Sequence, residues 1–212
     1  MPLSVDLFGT LVEASTPADP ASAVARELRA RDVSVPDDWQ AAYRTSHFDA
    51  PEGAETPLPA HVAAALRSRG VDASDGVVRR AVVAAFDPEV RVREGAHALV
   101  AAADPVALCS NCSVPQLVST TLIRADLRGS FDAVVTSAAC GFRKPHPRPF
   151  ETVADALGVA VADLVHVGDD PRTDGGIEAL GGTFLDAREA SLSALADRIA
   201  AGHDSGEDDP CP

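Results

Sequence analysis

Leu3-Ser4-Val5-Asp6-Leu7-Phe8-Gly9-Thr10-Leu11 is a short apolar run that breaks at a glycine. Leu3 to Leu7 reads as a buried strand, and Gly9 turns the chain immediately after it. A single carboxylate, Asp6, therefore stands at the C-terminal end of the strand. In an open parallel sheet that end faces the crevice where ligands bind.

The sheet itself is predicted further along. Beyond Pro88 the pattern alternates: EGAHALVAAA then PVALCSN, VPQLVSTTLIRADL then FDAVVTS, RPFETVADALGV then ADLVHVGDD, GGIEALG then GTFLD, and a last helix near residues 190–201. Helical periods alternating with short apolar runs imply a mostly parallel sheet with helices on both faces. Between about residues 15 and 87 the character differs. Four amphipathic stretches, DPASAVARELRARD, PDDWQAAYRTSHF, PAHVAAALRSRG and SDGVVRRAVVAAF, are separated by Pro- and Gly-rich breaks such as DAPEGAETPLP. The expected architecture is α/β: a Rossmann-like core over residues 1–15 and 88–201, an inserted all-α domain over 16–87, and a disordered acidic tail over 202–212.

Composition excludes several classes. The formal charge is −14 over 212 residues, a field that repels nucleic acid and anionic membranes. No apolar run approaches a membrane span, and the N-terminal segment lacks the basic region of a secretory signal, so a cytoplasmic protein is expected. The acid-rich, lysine-poor composition resembles that of proteins from organisms with high internal salt. Four cysteines, Cys109, Cys112, Cys140 and Cys211, are too scattered for a disulfide framework, and the one CxxC pair lacks partners for a zinc site.

The other strand ends are also polar: Ser110-Asn111, then Gly168-Asp169-Asp170 with Asp174 following. On the same rim lies FRKPHPRPF, Phe142 to Phe150, which holds Lys144, the one lysine beside seventeen arginines. Converging carboxylates repel and take up protons unless a cation holds them. A Mg²⁺ ion, which accepts one or two carboxylates plus a backbone carbonyl and is completed by water or phosphate, meets that need, and a compact ammonium neutralises the remainder.

This ordered set of four motifs, Val5 to Leu11, Leu108 to Asn111, Gly141 to Phe150 and Val165 to Leu180, resembles the haloacid dehalogenase-like hydrolase superfamily, with the helical insert where such proteins carry a cap. The resemblance implies a hydrolase acting on a small phosphorylated substrate, with Asp6 as nucleophile forming an aspartyl-phosphate. It implies that Thr10 and Ser110 donate to the phosphoryl oxygens, with Asn111 beside them, and that Lys144 bridges nucleophile and phosphoryl group. Asp6, the Phe8 carbonyl and Asp169 would bind Mg²⁺, with Asp170 or Asp174 completing the shell or orienting Lys144.

The chain departs from the family's phosphatases at Phe8, where they have a second aspartate acting as general acid and base. Family dehalogenases have an aromatic residue there and displace halide from carbon, but they use no metal and lack the intact Gly168-Asp169-Asp170. The leading expectation is a Mg²⁺-dependent phosphatase, with 2-haloacid dehalogenation and a catalytically weakened binding or regulatory domain as alternatives. His146 and His47 are candidate replacement proton carriers. In the insert Trp39, Tyr43, Arg44 and Phe48 share a helical spacing expected mainly of core packing, Arg44 being the candidate anion contact. Oligomeric state is not encoded in any of these features.

Overall fold

The computed structural model describes residues 1–204. The core is a five-stranded sheet in the order β5-β4-β1-β6-β7, every neighbour parallel. Its strands are β1 (Leu3–Val5), β4 (Val106–Ser110), β5 (Ala133–Thr136), β6 (Val165–Gly168) and β7 (Thr183–Asp186). Burial explains why β1 and β4 read as apolar runs: every residue of both is buried, as a sheet covered on two faces requires. α8 (Pro147–Leu157) covers one face through Phe150, Val153 and Ala154. On the other face α5 (Ala96–Ala101), α6 (Leu117–Arg124) and α9 (Leu192–Asp204) contribute Leu99, Leu122, Leu195 and Ile199. The fold is the α/β Rossmann-like one expected.

All four helices expected between residues 16 and 87 are present: α1 (Pro20–Arg29), α2 (Trp39–Arg44), α3 (Leu58–Arg67) and α4 (Asp75–Ala85). Asp19 caps α1 by accepting from the Ser22 amide at 3.1 Å, with Pro20 at the first helical position. Trp39 is buried and donates its indole N–H to the Ala21 carbonyl at 2.8 Å, so it packs within the helical layer. Arg44 and Phe48 are exposed. The chain enters and leaves this helical segment side by side, because β2 (Val12–Ala14) and β3 (Val90–Val92) pair antiparallel.

Two details differ from the sequence reading. A short helix, α7 (Ser137–Cys140), intervenes between β5 and the loop carrying Lys144. At the other end α9 reaches Asp204, into the stretch expected as tail, and residues 205–212 lie outside those described. Among the described residues no helix is long and apolar enough to cross a membrane.

Candidate active site

Strand register brings the polar strand ends together. Val5 lies opposite Leu108 on one side and Val167 on the other. One step further, Asp6 is level with Cys109 and Gly168, and its amide donates to the Val167 carbonyl at 2.9 Å. Gly9, in the left-handed region at φ +87°, swings the chain back so that Thr10 donates to Asp169 Oδ1 at 3.1 Å. A side chain at Gly9 would strike the Asp169 carboxylate, and one at Gly168 would strike that of Asp174.

Lys144 is buried at the centre, 1% exposed. Its three ammonium protons have three acceptors: Asp174 Oδ1 at 2.6 Å, the Cys109 carbonyl at 2.7 Å and Asp6 Oδ1 at 2.8 Å. Burial opposes its charge, but Asp6 and Asp174 outweigh that and hold the ammonium above the ordinary lysine pKa. Asp6 is pushed up to about 6, chiefly by burial, with Asp174 and Asp169 adding like-charge repulsion against the pull of Lys144. Asp174 shares the burial but is held well below the usual carboxylate range by His166 and Lys144.

The structure separates residues that the sequence grouped. Asn111 is engaged with the Lys144 loop. Its amide donates to the Lys144 carbonyl at 3.0 Å and accepts from the Lys144 amide at 2.8 Å, clamping that residue's backbone. Asp174 spends Oδ1 on Lys144 and His166 and Oδ2 on the Asp170 amide, so it orients Lys144 and the turn after β6. Asp170 turns its carboxylate outward to Arg172, at 2.8 and 3.0 Å. Asp169 keeps one oxygen clear of any hydrogen bond among the described residues, as does the Phe8 carbonyl. Buried Ser110 Oγ has no hydrogen-bond partner there either, an orphan that normally marks a missing ligand or water.

Those three free acceptors and donors define what the site can hold. Among the described residues no three His, Cys, Asp or Glu side chains gather as a metal cage. Two carboxylates, Asp6 and Asp169, plus one backbone carbonyl are nonetheless the few protein ligands that a Mg²⁺ keeping its waters requires. The residues present fit that ion.

Each histidine considered as a proton carrier has one ring nitrogen engaged in a local hydrogen bond. His146 Nδ1 accepts from the Arg148 amide at 3.1 Å as the N-cap of α8, its ring stacked on Phe142. His47 Nε2 bonds to the Ala42 carbonyl at 2.8 Å. The buried histidine of the site is one that sequence reasoning passed over, His166. Burial and then the charge of Lys144 push its pKa down to about 4. The ring is therefore neutral, and since the Lys144 protons are already placed, its Nε2–H donates to Asp174 Oδ1 at 3.2 Å while the Ser4 hydroxyl donates to Nδ1 at 2.9 Å. The signal was a polar residue in the middle of each of two apolar strands, Ser4 and His166, which the register sets opposite each other.

Two further contacts position the site. Arg93 donates to the carbonyls of Gly9 at 2.6 Å and Thr10 at 3.1 Å, bracing the turn after β1. The DAPEGAETPLP break docks on the Lys144 loop: Glu55 N–H donates to the Gly141 carbonyl, Arg143 N–H to that of Gly53, and the Glu55 carboxylate accepts from Ser137 Oγ at 2.8 Å. Cys109, Cys112 and Cys140 are free thiols, and burial pushes Cys109 up to about 12.

A family model described as haloacid dehalogenase-like hydrolase matches residues 3–181. The chain is 36% identical over 98 residues to an (S)-2-haloacid dehalogenase of Xanthobacter autotrophicus, covering 45% of this chain and 38% of that protein. It is 40% identical over 68 residues to a phosphoglycolate phosphatase of Xanthomonas campestris, covering 32% of this chain and 25% of that one. The matched stretches thus span less than half the length of either relative. A 2-haloacid dehalogenase from Pseudomonas syringae pv. Tomato DC3000 shares the fold, with TM-score 0.67, 95% of this chain and 98% of that chain covered, and 19% identity.

Proposed function

The chain belongs to the haloacid dehalogenase-like hydrolases, and from that premise we propose that it is a Mg²⁺-dependent phosphatase acting through Asp6 on a small phosphorylated substrate. The observation that carries this reading is the set of free groups at the rim: the Phe8 carbonyl, one Asp169 oxygen and the Ser110 hydroxyl. The first two are oxygen donors of the kind a Mg²⁺ takes beside one nucleophilic carboxylate, and the third can donate to a phosphoryl oxygen. Asp6, Asp169 and the Phe8 carbonyl would hold Mg²⁺, which when bound neutralises charge on the transferring phosphoryl oxygens. The helical segment 16–87 acts as a cap that closes the site from water.

In this mechanism Asp6 attacks phosphorus with the carboxylate oxygen not held by Lys144. Lys144, fixed through Asp174 and through its backbone by Asn111, offsets the charge that Asp6 and the phosphoryl group share. Ser110 donates its unpartnered hydroxyl to a phosphoryl oxygen. Phe8 transfers no proton, so the leaving group departs unaided, and turnover depends on its acidity. Phe8→Asp is expected to raise kcat on alkyl phosphates by roughly 10²-fold, with much less gain on acyl phosphates, in steady-state phosphate release.

Asp6 also provides a readout independent of turnover. In metal-free protein its carboxyl should titrate near pH 6 by carbon-detected NMR. Added Mg²⁺ is expected to lower that midpoint, because a cation favours the ionised form; a midpoint unmoved by millimolar Mg²⁺ contradicts the ligand role.

The competing reading is 2-haloacid dehalogenation, favoured by the aromatic Phe8 and by the Xanthobacter relative. A panel of phosphate esters and 2-chloropropionate, assayed with Mg²⁺ and with chelator, separates the two. Phosphate release that chelator stops and that Asp6→Asn abolishes supports the phosphatase. Halide release that persists in chelator supports the dehalogenase, and neither product from wild-type protein supports a binding or regulatory domain.

A further inference from the structure

Between the two crossings that join the helical segment to the core lies a slot of about 250 Å³. Phe8, Phe86 and Leu117 line it together with Asn111, Ser113 and the exposed Ser15. Phe8 is two residues past Asp6 and Asn111 directly follows Ser110, so a phosphoryl group held between Asp6 and Ser110 has this slot as its neighbour.

The lining is unusual for this chain. Although 24% of all residues are charged, none of those lining the slot carries a formal charge, and burial keeps the Cys112 thiol protonated. A second phosphate or a carboxylate placed there would be desolvated with no cation to meet it, whereas an aromatic ring meets Phe8, Phe86 and Leu117. The size is also restrictive: it falls below the roughly 300–1,000 Å³ of sites for drug-sized ligands, enough for one ring. Phe8 adds an independent demand, that the departing oxygen be stable as an anion.

We propose that this slot receives the leaving group, and that the substrates are monophosphate esters of compact, uncharged aromatic hydroxyl compounds. The assignment rests on the phosphatase reading and gives it a substrate class. As the Asp6 oxygen bonds to phosphorus, the bond from phosphorus to the aryl oxygen breaks and its electron pair leaves on the aryloxide, which takes a proton from water. A further water then opens the aspartyl-phosphate. The sum is ester plus water giving phenol plus inorganic phosphate.

Calorimetric binding of phenylphosphonate and methylphosphonate in Mg²⁺ buffer reads the slot without chemistry. The phenyl compound is expected to bind about tenfold more tightly or better, from burial of the ring. Phe86→Asp should bring that ratio towards one. So should Ser15→Trp, which narrows the slot at an exposed position if the Phe86 variant fails to fold. Equal binding of the two phosphonates, with the wild type still releasing phosphate from esters, overturns the slot assignment alone. Absence of phosphate release from every ester, together with halide release from 2-chloropropionate, overturns the phosphatase reading beneath it.

Discussion

Asp6→Asn is expected to lose at least about 10⁴-fold of turnover and yet to melt at a higher temperature than the parent protein at pH 7. The folded pKa of Asp6, about 6, stands above its ordinary 3.8. For a carboxyl shifted upwards, folding is favoured below the unfolded pKa, and that advantage is lost as pH rises through the folded one. Between pH 4 and 6 ionisation of Asp6 therefore comes to cost about 3 kcal/mol at most. Asparagine removes the buried charge, while Lys144 keeps Asp174 and the Cys109 carbonyl as partners. Asp174→Asn should do the opposite. Its pKa is depressed, so the carboxylate stabilises the fold above pH 4 and loses that contribution only in stronger acid. Melting curves at pH 7 and pH 4 check both signs: the advantage of Asp6→Asn should be largest at pH 7 and fade by pH 4, whereas Asp174→Asn should melt below the parent at pH 7. An Asp6→Asn protein less stable than the parent at pH 7 contradicts the electrostatic account.

Lys144 replacements should be the most disruptive. Lys144→Met keeps the aliphatic stem but leaves Asp6 and Asp174 buried without their shared cation, a loss of about 3–5 kcal/mol, measurable as a lowered denaturation midpoint. Lys144→Arg keeps the charge but not the shape. Three acceptors at 2.6–2.8 Å surround one nitrogen, and a planar guanidinium cannot present its donors to all of them from a site of that size. Turnover is expected to fall roughly 10²–10³-fold. Near-normal activity in Lys144→Arg would mean that the lone lysine answers no geometric need.

Much of this arrangement was legible from local pattern. The strands of the core announce themselves as short apolar runs ending in polar residues, and the helical segment by its period and its Pro and Gly breaks, because both signals are carried by neighbours in sequence. Lys144 stood out by count and proves to be the most buried cation among the described residues. What escaped depends on contacts between distant segments. Ser4 and His166 are each unremarkable, and only the β1–β6 register makes them a pair. Likewise nothing in Gly168-Asp169-Asp170 says which carboxylate faces inward. The turn decides it, with Asp169 meeting Thr10 and Asp170 pairing with exposed Arg172. Asn111, grouped by resemblance with the catalytic residues, instead holds the Lys144 backbone. The Pro- and Gly-rich break at residues 49–59 read as a plain linker, yet its Glu55 is tied to Ser137 and Arg143 beside the Lys144 loop.

The most direct measurement is acid quench of wild-type protein during turnover of an aryl phosphate with Mg²⁺, followed by peptide mass analysis. The account predicts a transient phosphoryl adduct on the peptide carrying Asp6, absent from Asp6→Asn and from chelated protein. A 1-carboxyethyl ester trapped on that same peptide by quenching during exposure to 2-chloropropionate in chelator, with no phosphoryl adduct under any condition, would contradict it.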